Sequence, residues 1–189
     1  MKKLRTKILG LLVIPVLAAC QLIAEPDKLA PYYGTPQPAR VIVNHKTYDS
    51  EIGNTKWIKL AEDGTRYMEF GDAFAIITPT KPIVTKPDLS LNLQLPIPIN
   101  PTILWYMLFK VSEKDLNSQD STQGAFRWNP DPETQMYLEQ TYPSLLTEQD
   151  LTFSLEPGVY VLQIHAGWGI TSSQTELEAD YGFLFEVQE

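Results

Sequence analysis

The side chains that could do chemistry in this chain are few in kind. It has two histidines, His45 and His165, and 23 carboxylates to move protons or hold a metal. Neither histidine sits at the spacing of a His-Glu-x-x-His zinc helix, Gly-x-Ser-x-Gly is absent, and no glycine-rich phosphate loop follows a strand pattern. His45 falls at the expected tip of a first hairpin, which suits a solvated turn residue. His165 alternates with Val161 and Gln163 on the more polar face of its strand, which suits a histidine satisfied within a sheet. A paired-carboxylate glycosidase stays open, because any two acids can meet in space. No catalytic residue and no cofactor are assigned, and the expectation is a non-catalytic protein.

Two further groups of residues could bind. Asp115-x-Asn117-x-Gln119-Asp120 offers oxygen ligands to calcium, with Asp115, Asn117 and Asp120 as weak metal candidates. The run lacks the glycine at the sixth position and the glutamate at the twelfth that define a helical calcium loop, so a solvated acidic loop is the plainer reading. Among the tryptophans, Trp105 lies in an apolar run and is expected in the core, whereas Trp57 and Trp168 are expected half-buried near strand ends. Trp128 stands in Ala125-Phe126-Arg127-Trp128-Asn129-Pro130, a loop context beside a cation and an amide. Phe126, Arg127 and Trp128 are therefore the candidate contacts for a glycan or a partner protein, with a lid over the open end of the fold as the alternative.

The elements that must position these residues read as strands. Val41 and Val43 alternate with Ile42 and Asn44, and Lys56 to Leu60 and Arg66 to Phe70 flank the turn dipeptide Asp63-Gly64. Ala73 to Thr78 is a short apolar run. Leu89, Leu91, Leu93 and Leu95 recur at every second residue, as do Leu151, Phe153 and Leu155. Ile103 to Val111 is apolar nearly throughout and predicts a strand buried on both faces or at a sheet centre. The last two strands, Val159 to Trp168 and Tyr181 to Gln188, form a hairpin, and Val84 to Leu95 is a candidate exposed edge for strand addition. About eight strands without an amphipathic helix predict an all-β, antiparallel, immunoglobulin-like sandwich over residues 41–189. Leu155-Glu156-Pro157-Gly158-Val159-Tyr160 resembles the turn into the penultimate strand of such sandwiches, where the tyrosine hydrogen-bonds nearby backbone. Nine acids against Lys114 and Arg127 mark residues 112–158 as an acidic insertion.

The N-terminus carries an address. Lys2, Lys3, Arg5 and Lys7 precede an apolar run from Ile8 to Ala19, too short to cross a bilayer core as a helix. The run closes on Leu17-Ala18-Ala19-Cys20, which resembles the lipobox of bacterial lipoprotein precursors. The resemblance covers only the first 20 residues. It implies cleavage between Ala19 and Cys20, a thioether-linked diacylglycerol on Cys20 and an acylated, palmitate-bearing mature N-terminus. Such acyl chains anchor a protein to a membrane without spanning it. Gln21, which is not Asp, implies passage to the outer membrane in a source with two membranes; otherwise the place is the outer face of the cytoplasmic membrane. Residues 20–40 hold Pro26, Pro31, Pro36 and Pro38 and read as a tether that could extend up to about 60 Å, with docking of Tyr32 and Tyr33 as the alternative.

Without residues 1–19 the chain has 11 basic residues against 23 acidic ones, a net charge of -12. That excludes the basic footprint of a nucleic-acid binder and disfavours lying flat on anionic lipid. A single cysteine excludes an intrachain disulfide. Gly53, Trp57, Pro157, Gly158, Tyr160, Trp168, Tyr181, Gly182, Phe183 and Val187 resemble a pattern in small uncharacterised bacterial lipoproteins, a resemblance that bears on the fold and leaves function open. The expected role is binding of an envelope protein or glycan by a membrane-anchored domain. A structural spacer or assembly factor, and a calcium-dependent or enzymatic module using the acidic segment, are the alternatives.

Overall fold

A computed structural model describes residues 27–71, 76–78, 82–111, 126–128, 136–141, 145–169 and 177–189. The signal-like segment, Cys20, Gln21 and the metal candidates Asp115, Asn117 and Asp120 lie outside the described residues. Among the described residues, no helix is long and apolar enough to cross a membrane.

Thirteen strands are described, where patterning led to an expectation of about eight. A smaller sheet has the order β11 (Glu148–Ser154), β7 (Asp88–Gln94), β1 (Arg40–Val43), β2 (Lys46–Asp49). The larger sheet runs β10 (Met136–Thr141), β8 (Ile103–Lys110), β12 (Gly158–Trp168), β13 (Leu177–Val187), β3 (Glu51–Leu60), β4 (Arg66–Phe70). β6 (Ile83–Thr85) adds to the end of β13 in parallel, and β5 (Ile76–Thr78) pairs with β9 (Phe126–Trp128) in a separate ribbon. The protein is an all-β sandwich, antiparallel apart from the β6–β13 contact. Strands β11-β7-β1 facing β8-β12-β13 follow the E-B-A and C-F-G order of an immunoglobulin-like sandwich.

Local chemistry explains the turns. Asn44 and His45 both have positive φ, 49° and 63°, as the two-residue turn between β1 and β2 requires, so His45 sits at a hairpin tip as expected. Gly64 has φ 80°, its N–H bonds the Ala61 carbonyl at 2.9 Å, and the β3–β4 hairpin closes at the expected Asp63-Gly64. The Tyr160 hydroxyl donates to the Glu156 carbonyl at 2.8 Å, bracing the corner from which β12 starts.

The core lies between the sheets. Leu89, Leu91 and Leu93 on β7 and Leu151 and Phe153 on β11 meet Leu104, Tyr106 and Leu108 on β8 and the inward row of β12, Tyr160 to Trp168. Phe153 and Tyr106 join the sheets edge to face, with ring centroids 5.8 Å apart. Trp57 and Trp168, expected half-buried, are fully buried and meet edge to face at 6.3 Å. Each indole N–H is satisfied by a backbone carbonyl, Tyr32 for Trp57 and Ile99 for Trp168, so burial strands no donor.

Four other expectations need correction. Residues 84–95 are not a free edge: β7 is flanked by β1 and β11 on its two sides, and the apolar alternation that marks its buried face is the same for an edge or a central strand. β8 is buried on both faces only in its second half, where Phe109 and Val111 join Val161 and Leu184 in an outer cluster; Trp105 lies on the outer face and is only partly buried. Residues 112–158, expected as the acidic insertion, are not the only addition to a minimal sandwich, since β2 to β6 intervene between β1 and β7 of the smaller sheet. The tether does not extend to residue 40. Leu29 and Ala39 are buried, Tyr32 and Tyr33 pack on the core, and the Gly34 N–H bonds the Ile58 carbonyl at 2.8 Å. The docking alternative is the one the structure adopts from Asp27 onward.

Candidate functional site

Strand alternation commits every second residue of β12 to the core and the others to the outside. Outward lie Val159, Val161, Gln163, His165 and Gly167. His165 stands directly opposite Asp180 on β13 and Trp105 on β8, so the register brings three distant positions into one row. A shift in the β13–β3 register between Ala179 and Tyr181 brings Asn54 to the same carboxylate.

The geometry is that of a braced platform. His165 Nδ1 lies 2.8 Å from Asp180 Oδ1, and Asn54 Nδ2 donates to Asp180 Oδ2 at 3.2 Å. A carboxylate only accepts, so Nδ1 carries the hydrogen and Nε2 of the neutral ring is left to accept. The imidazole stacks on Trp105 with centroids 4.8 Å apart and planes 14° from parallel. His165 and Asp180 keep 20% and 15% of their side-chain surface exposed, enough for contact with a ligand and too little for free rotation. Lys56 and Glu178 pair at 3.9 Å one step along the row. On the other side Gln163 is buried, and its Oε1 has no hydrogen-bond partner.

This row can stack a ring or an apolar sugar face and accept hydrogen bonds from hydroxyls at Asp180. Its outward neighbours in register, Ile103, Met107, Gln163, Gly167, Glu178 and Gly182, supply no hydroxyl or thiol for the imidazole to activate. Among the described residues no group of three His, Cys, Asp or Glu side chains could hold a metal.

The residues singled out from sequence are distributed differently. Phe126, Arg127 and Trp128 form β9 and not a loop: their backbone pairs with Thr78, Ile77 and Ile76 of β5. β5 in turn runs beside β3 and β13, the strands that carry Asn54 and Asp180. His165 is a satisfied sheet histidine as expected; Trp105, expected in the core, stands beside it on the outer face, and sequence patterning does not point to Asp180 or Asn54. The signal for Asp180 was available, since extending the β12–β13 hairpin register by one pair beyond Ile164 and Tyr181 sets His165 against it.

A cavity of about 210 Å³ lies elsewhere, lined by Pro31, Tyr32, Tyr33, Thr35, Gln37, Trp57, Pro96 and Ile97. It falls short of the roughly 300–1,000 Å³ of small-molecule sites and is a seam between the docked N-terminal segment and the sandwich. Comparison of the chain with protein-family models, curated proteins and solved structures finds no match.

Proposed function

We propose that this chain is a membrane-anchored lipoprotein, acylated at Cys20, whose sandwich binds a glycan or glycan-bearing protein at the cell envelope without catalysis. The anchoring rests on Leu17-Ala18-Ala19-Cys20 and the charged, apolar run before it. The binding role rests on one observation: Trp105, His165, Asp180 and Asn54 converge in a partly exposed row with stacking surface and acceptors side by side. Phe126, Arg127 and Trp128 join as contact residues from the ribbon that runs beside β3 and β13.

Two experiments test the proposal. Cys20→Ser abolishes labelling by a fatty acid and accumulates uncleaved precursor; a variant still processed and membrane-bound overturns the anchor. Envelope glycans raise the melting temperature of the mature chain, because a ligand that binds only the native state stabilises it. Trp105→Ala removes that rise and leaves a cooperative melt. A panel without any rise overturns the glycan reading.

A further inference from the structure

Among the described residues, four of the seven exposed large hydrophobics lie on one hairpin, β3–β4: Leu60 is 51% exposed, Tyr67 48%, Met68 36% and Phe70 70%. Register places Leu60, Met68 and Phe70 on one face of it, because Leu60 opposes Arg66, Ile58 opposes Met68 and Lys56 opposes Phe70. An apolar cluster of this kind on an edge hairpin calls for a covering surface. Three further observations say which.

The first is where the chain enters. Asp27, the first described residue, is clasped to the start of β4: Arg66 Nη1 reaches its Oδ2 at 2.9 Å, the Tyr33 hydroxyl reaches the same oxygen at 2.6 Å, and the Arg66 guanidinium lies 5.0 Å from the centre of the Tyr33 ring. The second is length. Only six residues separate Cys20 from Asp27, and a chain spans at most about 3.6 Å per residue, so an anchored Cys20 keeps Asp27 within roughly 25 Å of the lipid. Phe70, four residues beyond Arg66 on a strand rising about 3.4 Å per residue, is within about 14 Å of the clasp. The third is charge. The hairpin from Lys56 to Phe70 balances Lys56, Lys59 and Arg66 against Glu62, Asp63 and Glu69, whereas the chain from Cys20 onward carries -12. The apolar hairpin is thus also a locally neutral stretch, free of the repulsion that keeps the acidic body off anionic lipid.

We infer that Leu60, Met68 and Phe70 form a second contact with the bilayer, resting at its interface beside the acyl anchor. The inference rests on the proposed acylation of Cys20. One acyl-bearing residue leaves a domain free to tumble, and a second apolar contact orients it; here the Trp105 row, on strands β8, β12 and β13, is set in a defined direction relative to the membrane.

The test uses the full lipidated chain. Its one cysteine is consumed by the thioether, so Phe70→Cys introduces a unique thiol on an exposed side chain. Thr152→Cys on β11, in the opposite sheet, is the control. Each is labelled with an environment-sensitive fluorophore and reconstituted into phosphatidylcholine vesicles with or without brominated acyl chains. Emission at position 70 is roughly halved by the brominated lipid, as for a group seated at the interface, and emission at position 152 is unchanged. Arg66→Ala in the Phe70→Cys background weakens the quenching by loosening the clasp. Fatty-acid labelling of the same preparations separates the failures. Lipidated protein with an unquenched position 70, or equal quenching at 70 and 152, overturns this inference alone. Protein without lipid on Cys20 overturns the anchored reading and this inference with it.

Discussion

The two faces of the β12–β13 pair are built from the same two strands and do opposite work. Inward, Tyr160, Leu162, Ile164, Ala166 and Trp168 meet Leu177, Ala179, Tyr181, Phe183 and Phe185, all at 1% exposure or less. Outward, His165 and Asp180 stand among Gln163, Gly167, Gly182 and Glu178. On the inner face, energy comes from area removed from water and is shared among many contacts. In the outer row around His165 it comes from a few directed bonds, each of which is lost outright with its partner, whereas the apolar cluster of Phe109, Val111, Val161 and Leu184 lies further along the same face. Tyr181 marks the limit between them: burial pushes its hydroxyl's pKa up, so it stays neutral in the core.

The largest expected effect breaks the inner face. Trp168→Ala removes the indole that meets Trp57 and bonds Ile99, and costs about 3–5 kcal/mol in urea unfolding. On the outer face Asp180→Ala removes the carboxylate that His165 and Asn54 bond and costs about 1.5–3 kcal/mol, while abolishing any glycan-dependent rise in melting temperature. If Asp180→Ala proves costlier than Trp168→Ala, the contrast between the faces is wrong. Tyr160→Phe keeps the buried ring and loses only the bond to Glu156, at about 0.5–1.5 kcal/mol in the same assay; a larger loss would show that the corner bond, and not ring burial, dominates there.

The smallest effect belongs to the N-terminal clasp. The Tyr33 hydroxyl, followed by the Leu29 amide and Arg66, holds the Asp27 carboxyl below its ordinary 3.8 despite some desolvation. A depressed folded value means the clasp contributes fully above about pH 4 and is lost as pH falls through that lowered value. Acid titration followed by hydrogen exchange at Leu29 to Gly34 therefore shows local release below pH 4 and no change between pH 5 and 8. Release already at pH 5 would remove Asp27 as its cause.

Legibility followed physical range. The alternating rows of β7, β11, β12 and β13, the Asp63-Gly64 turn and the Pro157-Gly158 corner depend on neighbours one to four residues away, and patterning found them. Trp105 was misplaced because an unbroken apolar run gives no parity: only the register with β12 shows that Leu104, Tyr106 and Leu108 face inward and Trp105 outward. Residues 27–39 were misread because prolines predict extension but not what the extended chain lies against, here Trp57 and Ile58.

The sequence by itself determined an all-β chain, its acidity and its turn chemistry, and it carries the Leu17-Ala18-Ala19-Cys20 motif on which the proposed anchoring rests, since each is local or compositional. Tertiary structure alone decided that His165, Asp180, Asn54 and Trp105 share one row and that Asp27 is clasped to the β3–β4 hairpin. Those contacts join residues on different strands, and their pairing follows from how the sheets bury their common apolar faces, a property of the whole chain.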